Sequence, residues 1–139
     1  MGDLIVMSEL NRVLIVDDDH DIVESVRIRL HSAGYETLVA YDGQEGFESA
    51  VKDNPDAILL DVRMPEMDGM TVLAKLKQDR ETRDIPVIML SASLIDQHAA
   101  LRAGANSFVV KPYSATNLLA ILDAALHLPI RLYPKAEHV

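Results

Sequence analysis

Polar residues stand directly after four apolar runs in this chain. Asp17-Asp18-Asp19 follow Val13-Leu14-Ile15-Val16, Asp61 follows Ala57-Ile58-Leu59-Leu60, Ser91 follows Val87-Ile88-Met89-Leu90, and Lys111-Pro112 follow Phe108-Val109-Val110. Carboxylates brought together from separate segments repel, so such a cluster either holds protons or binds a cation. The donors are hard oxygens with no His or Cys among them, which selects Mg²⁺ or Mn²⁺ over zinc or copper. Mg²⁺ keeps several waters and shares its coordination with phosphate oxygens, so the chemistry indicated is phosphoryl transfer. Lys111 adds a positive charge and Ser91 a hydroxyl donor. Together they make a clamp for phosphoryl oxygens, in which transfer is mainly positioning and charge neutralisation. Asp61, alone on its segment, is the candidate nucleophile, and the adjacent Asp17 and Asp18 are the candidate metal holders.

For these residues to meet, the runs before them must lie side by side. The pattern alternates strand and helix. Val13–Val16, Glu36–Ala40, Ala57–Leu60, Val87–Leu90 and Phe108–Val110 read as strands. Between them, Ile22, Val23, Val26 and Leu30 share a helical face that Gly34 ends. Asp42 and Glu45 have capping-box spacing ahead of a stripe of Phe47, Ala50 and Val51. Gly46 inside that helix is expected to cost roughly 1 kcal/mol relative to Ala. Asp68-Gly69 open a third helix with Met70, Leu73 and Leu76 inward. A fourth is expected over about Asp96–Ala103, ending at Gly104. Ser114 caps a fifth, with Leu118, Ile121, Leu122 and Ala125 inward, and Pro129 bars its continuation. The first, third, fourth and fifth strands are continuously apolar, which predicts burial on both faces and a parallel sheet covered by helices. Alternating βα units with right-handed crossovers give a doubly wound α/β fold. In such a fold, ligands sit at the carboxyl ends of the strands, where all four polar groups fall.

Composition sets the limits. The 139 residues suit one domain, and 49% hydrophobic content with only 4% aromatic calls for a core of aliphatic side chains and Met. A net charge of −9 repels nucleic acid and anionic lipid surfaces, so direct DNA binding is not expected. Absence of cysteine removes disulfides and thiolate metal sites and agrees with a reducing compartment. The N-terminus lacks a basic, long apolar leader, and Val6 breaks the myristoylation pattern, so a cytoplasmic protein is the expectation. The expected organisation is a tail over residues 1–10, a domain over 11–127 and a second tail over 128–139.

Over about residues 12–127 the chain resembles the response-regulator receiver domain, also called CheY-like, of two-component systems. The resemblance is carried by Leu14-Ile15-Val16-Asp17-Asp18, the stretch Leu60-Asp61-Val62-Arg63-Met64-Pro65-Glu66-Met67-Asp68-Gly69, Leu90-Ser91-Ala92, Ala103-Gly104-Ala105 and Val110-Lys111-Pro112. It implies a flavodoxin-like sheet of order 2-1-3-4-5 with five helices, and a phosphoacceptor switch that a histidine kinase or phosphotransfer protein loads at Asp61. It further implies that Asp18 binds Mg²⁺ directly and Asp17 through water, with the Arg63 backbone carbonyl as a further ligand. Ser91 would be the switch hydroxyl, Phe108 the aromatic whose rotamer follows it, and Lys111 the partner of the phosphoryl group, with a cis Lys111–Pro112 bond. Such a domain catalyses only its own phosphorylation and dephosphorylation. It would act, as a monomer or phosphorylation-linked dimer, through the face of helix 4, strand 5 and helix 5. The Ser91–Lys111 stretch is slightly short for the family, which bears on the length and start of helix 4.

Other readings compete. Asp19 and Asp21 suit the positive end of helix 1 without further function, and Ser93 suits a cap of helix 4. The histidines show no metal-ligand pairing and read as surface or cap residues. Leu119 and Leu126 read as core. A phosphatase with an aspartyl nucleophile of the haloacid dehalogenase kind would carry DxDx[TV] after strand 1, where this chain has Asp17-Asp18-Asp19-His20. A phosphorylation-independent pseudo-receiver would lack part of the acid cluster or the lysine, and all are present. A receiver segment of a longer regulator or hybrid kinase also fits.

Overall fold

The computed structural model describes residues 11–126. The two expected tails, Pro129, His127 and His138 lie outside the described residues. Five parallel strands, β1 (Arg12–Val16), β2 (Glu36–Ala40), β3 (Ala57–Asp61), β4 (Val87–Ser91) and β5 (Ser107–Val110), form one sheet in the order β2-β1-β3-β4-β5. The helices are α1 (His20–Ser32), α2 (Gly43–Asp53), α3 (Gly69–Gln78), α4 (Gln97–Arg102) and α5 (Ala115–Ala125), with a 3₁₀ turn over Leu94–Asp96 ahead of α4. Among the described residues no helix is long and apolar enough to cross a membrane.

The alternation of side chains along each strand divides the core into two layers. Leu14, Val16, Ile58, Leu60 and Met89 pack against Ala50 of α2, Leu73 and Leu76 of α3 and Ala100 of α4. Val13, Ile15, Leu59, Ile88 and Leu90 pack against Val23 and Leu30 of α1 and Leu118 and Leu122 of α5. Leu119 and Leu126 pack on this second layer as expected. Burial on both faces holds for β1, β3 and β4 but not for β5, whose Ser107, Phe108 and Val110 are half-buried. The reason is position: β5 is an edge strand with a neighbour on one side only.

The helix starts follow their caps. Asp19 Oδ1 accepts from the N–H groups of Asp21 and Ile22, Asp68 Oδ1 from Thr71, and Ser114 Oγ from Asn117. At α2, Asp42 Oδ1 accepts from the Glu45 N–H, while Glu45 Oε1 reaches one residue further back than a capping box requires, to the N–H of Tyr41. Gly46 reverses the sequence expectation. It is buried against β1, and a Cβ there would stand 2.8 Å from Val16 Cγ1.

Candidate functional site

β1, β3 and β4 deliver Asp17, Asp61 and Ser91 to one rim, each with at most 4% of its surface exposed. Lys111 follows β5, its N–H donating to the Ser91 carbonyl at 2.8 Å, and the peptide bond to Pro112 is cis. Gly69 lets the start of α3 close on β3: a Cβ there would collide with the Asp61 carbonyl oxygen, and the Gly69 N–H donates to the Val62 carbonyl at 2.8 Å.

Carboxylate oxygens of Asp17, Asp18 and Asp61 lie within 4.8 Å of one another. Lys111 Nζ stands 2.7 Å from Asp61 Oδ1 and 3.5 Å from Asp17 Oδ2. One ammonium among three carboxylates leaves the charge unbalanced. Burial pushes the carboxyls of Asp17 and Asp61 above the usual range, and repulsion from Asp18 adds to both, despite the opposing pull of Lys111. Burial works against the Lys111 ammonium too, but the hydrogen bond to Asp61 and the two carboxylate charges outweigh it and hold its pKa above the ordinary lysine value. A hard-oxygen site with excess negative charge fits a divalent cation such as Mg²⁺.

Asp17, Asp18, Asp61 and Lys111 are thus brought together as the sequence indicated. The side chains of Ser91, Arg63 and Phe108 turn elsewhere. The Ser91 hydroxyl donates to Asp96 Oδ2 at 3.0 Å and accepts from the Ser93 N–H at 3.1 Å. Arg63 Nη2 contacts both carboxylate oxygens of Asp96, at 2.9 and 3.0 Å. Phe108 is half-buried on the α2–α3 side of the core, beside Met89 in register. Ser93 caps the 3₁₀ turn over Leu94–Asp96 through its hydroxyl, rather than α4 itself, because that turn precedes the helix. Asp96 is the residue that sequence reasoning took only for a helix start. Its spacing of five from Ser91 was a weak signal, because the turn that folds it back is not an element with a period. His20, beside the acid cluster in sequence, stacks on Tyr41 with ring centroids 3.8 Å apart.

A doubly wound parallel sheet of this strand order, with an acid cluster and a lysine at its carboxyl rim, defines a flavodoxin-like domain with its ligand site at the strand ends. Residues 13–123 match the family model of the response regulator receiver domain. The chain belongs to that family. It is 40% identical over 129 residues to RpaA of Synechocystis sp., a DNA-binding dual master transcriptional regulator, covering 91% of this chain and 54% of the relative. It is 43% identical over 117 residues to the transcriptional regulatory protein PrrA of Mycobacterium tuberculosis, covering 83% and 49%. The chain therefore spans about half the length of these curated relatives. Among solved structures, chemotaxis protein CheY4 of Vibrio cholerae superposes with a TM-score of 0.80 at 32% identity, over 85% of this chain and 100% of that one. The receiver domain of sensor histidine kinase PA1611 of Pseudomonas aeruginosa, which holds a magnesium ion in its active-site cleft, gives 0.80 at 29% identity, over 86% and 99%.

Proposed function

We propose that this receiver domain, the unit of residues 11–127, takes a phosphoryl group from a histidine kinase or phosphotransfer protein onto Asp61. The observation that carries the reading is the buried Asp61 carboxylate, 2.7 Å from Lys111 Nζ and within 4.8 Å of Asp17 and Asp18 oxygens. An Asp61 oxygen attacks phosphorus, the bond from phosphorus to the donor imidazole breaks, and the imidazole leaves with the bonding pair. Lys111 stands where it can neutralise an incoming phosphoryl oxygen. Asp17, Asp18, Asp61 and the Arg63 backbone carbonyl would hold Mg²⁺, and the oxygen-only donor set supports that ion. When bound, it supplies charge neutralisation for the carboxylates and the phosphoryl oxygens together. The phosphoryl group adds charge and acceptor oxygens that draw the Ser91 hydroxyl, and the repacking passes through Phe108 to the face of α4, β5 and α5 that addresses a partner.

The direct test is intact mass after acetyl phosphate with Mg²⁺, with and without EDTA. One labile phosphate on wild type, absent from Asp61→Asn and absent with EDTA, is expected. An adduct that survives Asp61→Asn, or turnover of a phosphate ester far beyond one equivalent, would overturn the reading. The regulators RpaA and PrrA favour a second reading of output, in which this domain controls DNA binding by a separate domain of a longer protein, since the strongly acidic chain itself is a poor match for DNA.

A further inference from the structure

We propose that Asp96 is a positioning residue that latches the off state by holding the Ser91 hydroxyl away from Asp61. The inference rests on Asp61 being the phosphoacceptor. A serine hydroxyl has one proton to donate, and here Asp96 Oδ2 takes it at 3.0 Å, while the Ser93 N–H fills an acceptor site of the same oxygen. Both hydrogen bonds of the Ser91 hydroxyl therefore lie within the connection from β4 to α4. The bond to Asp96 is shielded: Ser91 is fully buried and the Asp96 side chain is only 14% exposed. A hydrogen bond to a carboxylate in such a place is among the stronger kinds.

A second observation points the same way. Asp96 lies inside the continuous helical run from the Leu94–Asp96 3₁₀ turn into α4, with αR backbone angles, and its side chain makes no capping bond. It turns instead to Ser91 and to Arg63, two residues past the acceptor. The exposed Arg63 pair adds little energy by itself, but it fixes the carboxylate's orientation and balances its charge. The 3₁₀ turn over Leu94–Asp96 brings this carboxylate back over the end of β4. A phosphoryl group on Asp61 must then compete with Asp96 for one proton, so the apparent affinity of the site for a phosphoryl mimic is lowered by the latched fraction.

Beryllofluoride with saturating Mg²⁺ is a suitable probe, its binding to the full chain read by ¹⁹F NMR. Asp96→Ala is expected to tighten apparent beryllofluoride binding by roughly tenfold to a hundredfold, the range for releasing one hydrogen bond to a charged group. Asp96→Asn, which keeps the shape and a weaker acceptor, is expected to shift it in the same direction by less and serves if the alanine variant does not fold. In a Ser91→Ala background, removing Asp96 is expected to change nothing, because the latch acts through that hydroxyl. Unchanged affinity in both Asp96 variants, or the same tightening with and without Ser91, overturns the latch while leaving Asp61 as acceptor. A wild-type protein that binds no beryllofluoride and takes no phosphoryl group overturns both.

Discussion

At Asp61 the attraction of one lysine competes with burial and with two neighbouring carboxylates, and the carboxyl ends above its ordinary range. The sign of the resulting pH dependence follows. A carboxyl that keeps its proton longer in the folded than in the unfolded chain contributes stability that is complete below 3.8, the ordinary value, and is lost as pH rises through the raised value. Asp17 acts in the same direction. Metal-free protein is thus expected to lose thermal stability on going upward from pH 4 toward neutrality through this pair, against the trend of ordinary salt-bridged carboxylates. Asp61→Asn is expected to melt higher than wild type at pH 7 without metal, and its profile to be flatter above pH 4. Melting curves in EDTA across that range check this, and a lower midpoint for Asp61→Asn at pH 7 would show that the Lys111 pair outweighs the crowding.

At the scale of elements, the contact of α2 with β1 sets local propensity against packing. Gly46 is a poor helix former by roughly 1 kcal/mol, so propensity alone predicts that Gly46→Ala stabilises. The packing predicts the opposite: the added carbon meets Val16 inside contact distance, and overpacking of this kind costs about 1–3 kcal/mol. Gly46→Ala is therefore expected to lower the urea midpoint, and Val16→Ala in the same chain to recover part of the loss. What the sequence could reveal divides along the same line. Strands β1, β3 and β4, buried on both faces, were legible because their apolar runs leave no other place for them, and the edge strand Glu36–Ala40 also matches residue for residue. Site residues were legible where a strand end fixed them. Asp96 was not, because a short turn set its direction, and neither was the buried contact of Tyr35 with Asp123 of α5, whose partners are 88 residues apart.

For the molecule as a whole, the question is how much of its stability depends on a cation. The chain carries a net charge of −9, so any salt relieves some general repulsion, and a rise in melting temperature with MgCl₂ is not by itself evidence for a site. A site differs in two respects. Its effect follows the logarithm of free Mg²⁺ at fixed ionic strength, reaching about 2.7 kcal/mol at a hundredfold excess over Kd. For a domain of this size that is a shift of roughly 10 °C. It also requires the carboxylates to be ionised, so the raised pKa values of Asp17 and Asp61 make it weaken as pH falls. At ionic strength matched with NaCl, wild type is expected to gain several degrees from Mg²⁺ at pH 7, less at pH 5, and nothing after EDTA. Asp18→Asn removes an exposed carboxylate from the cluster without disturbing the core, and is expected to lose most of the gain. An equal rise in Asp18→Asn and wild type would assign the effect to screening of the whole surface, and the acid rim would then be a source of strain with no cation to relieve it.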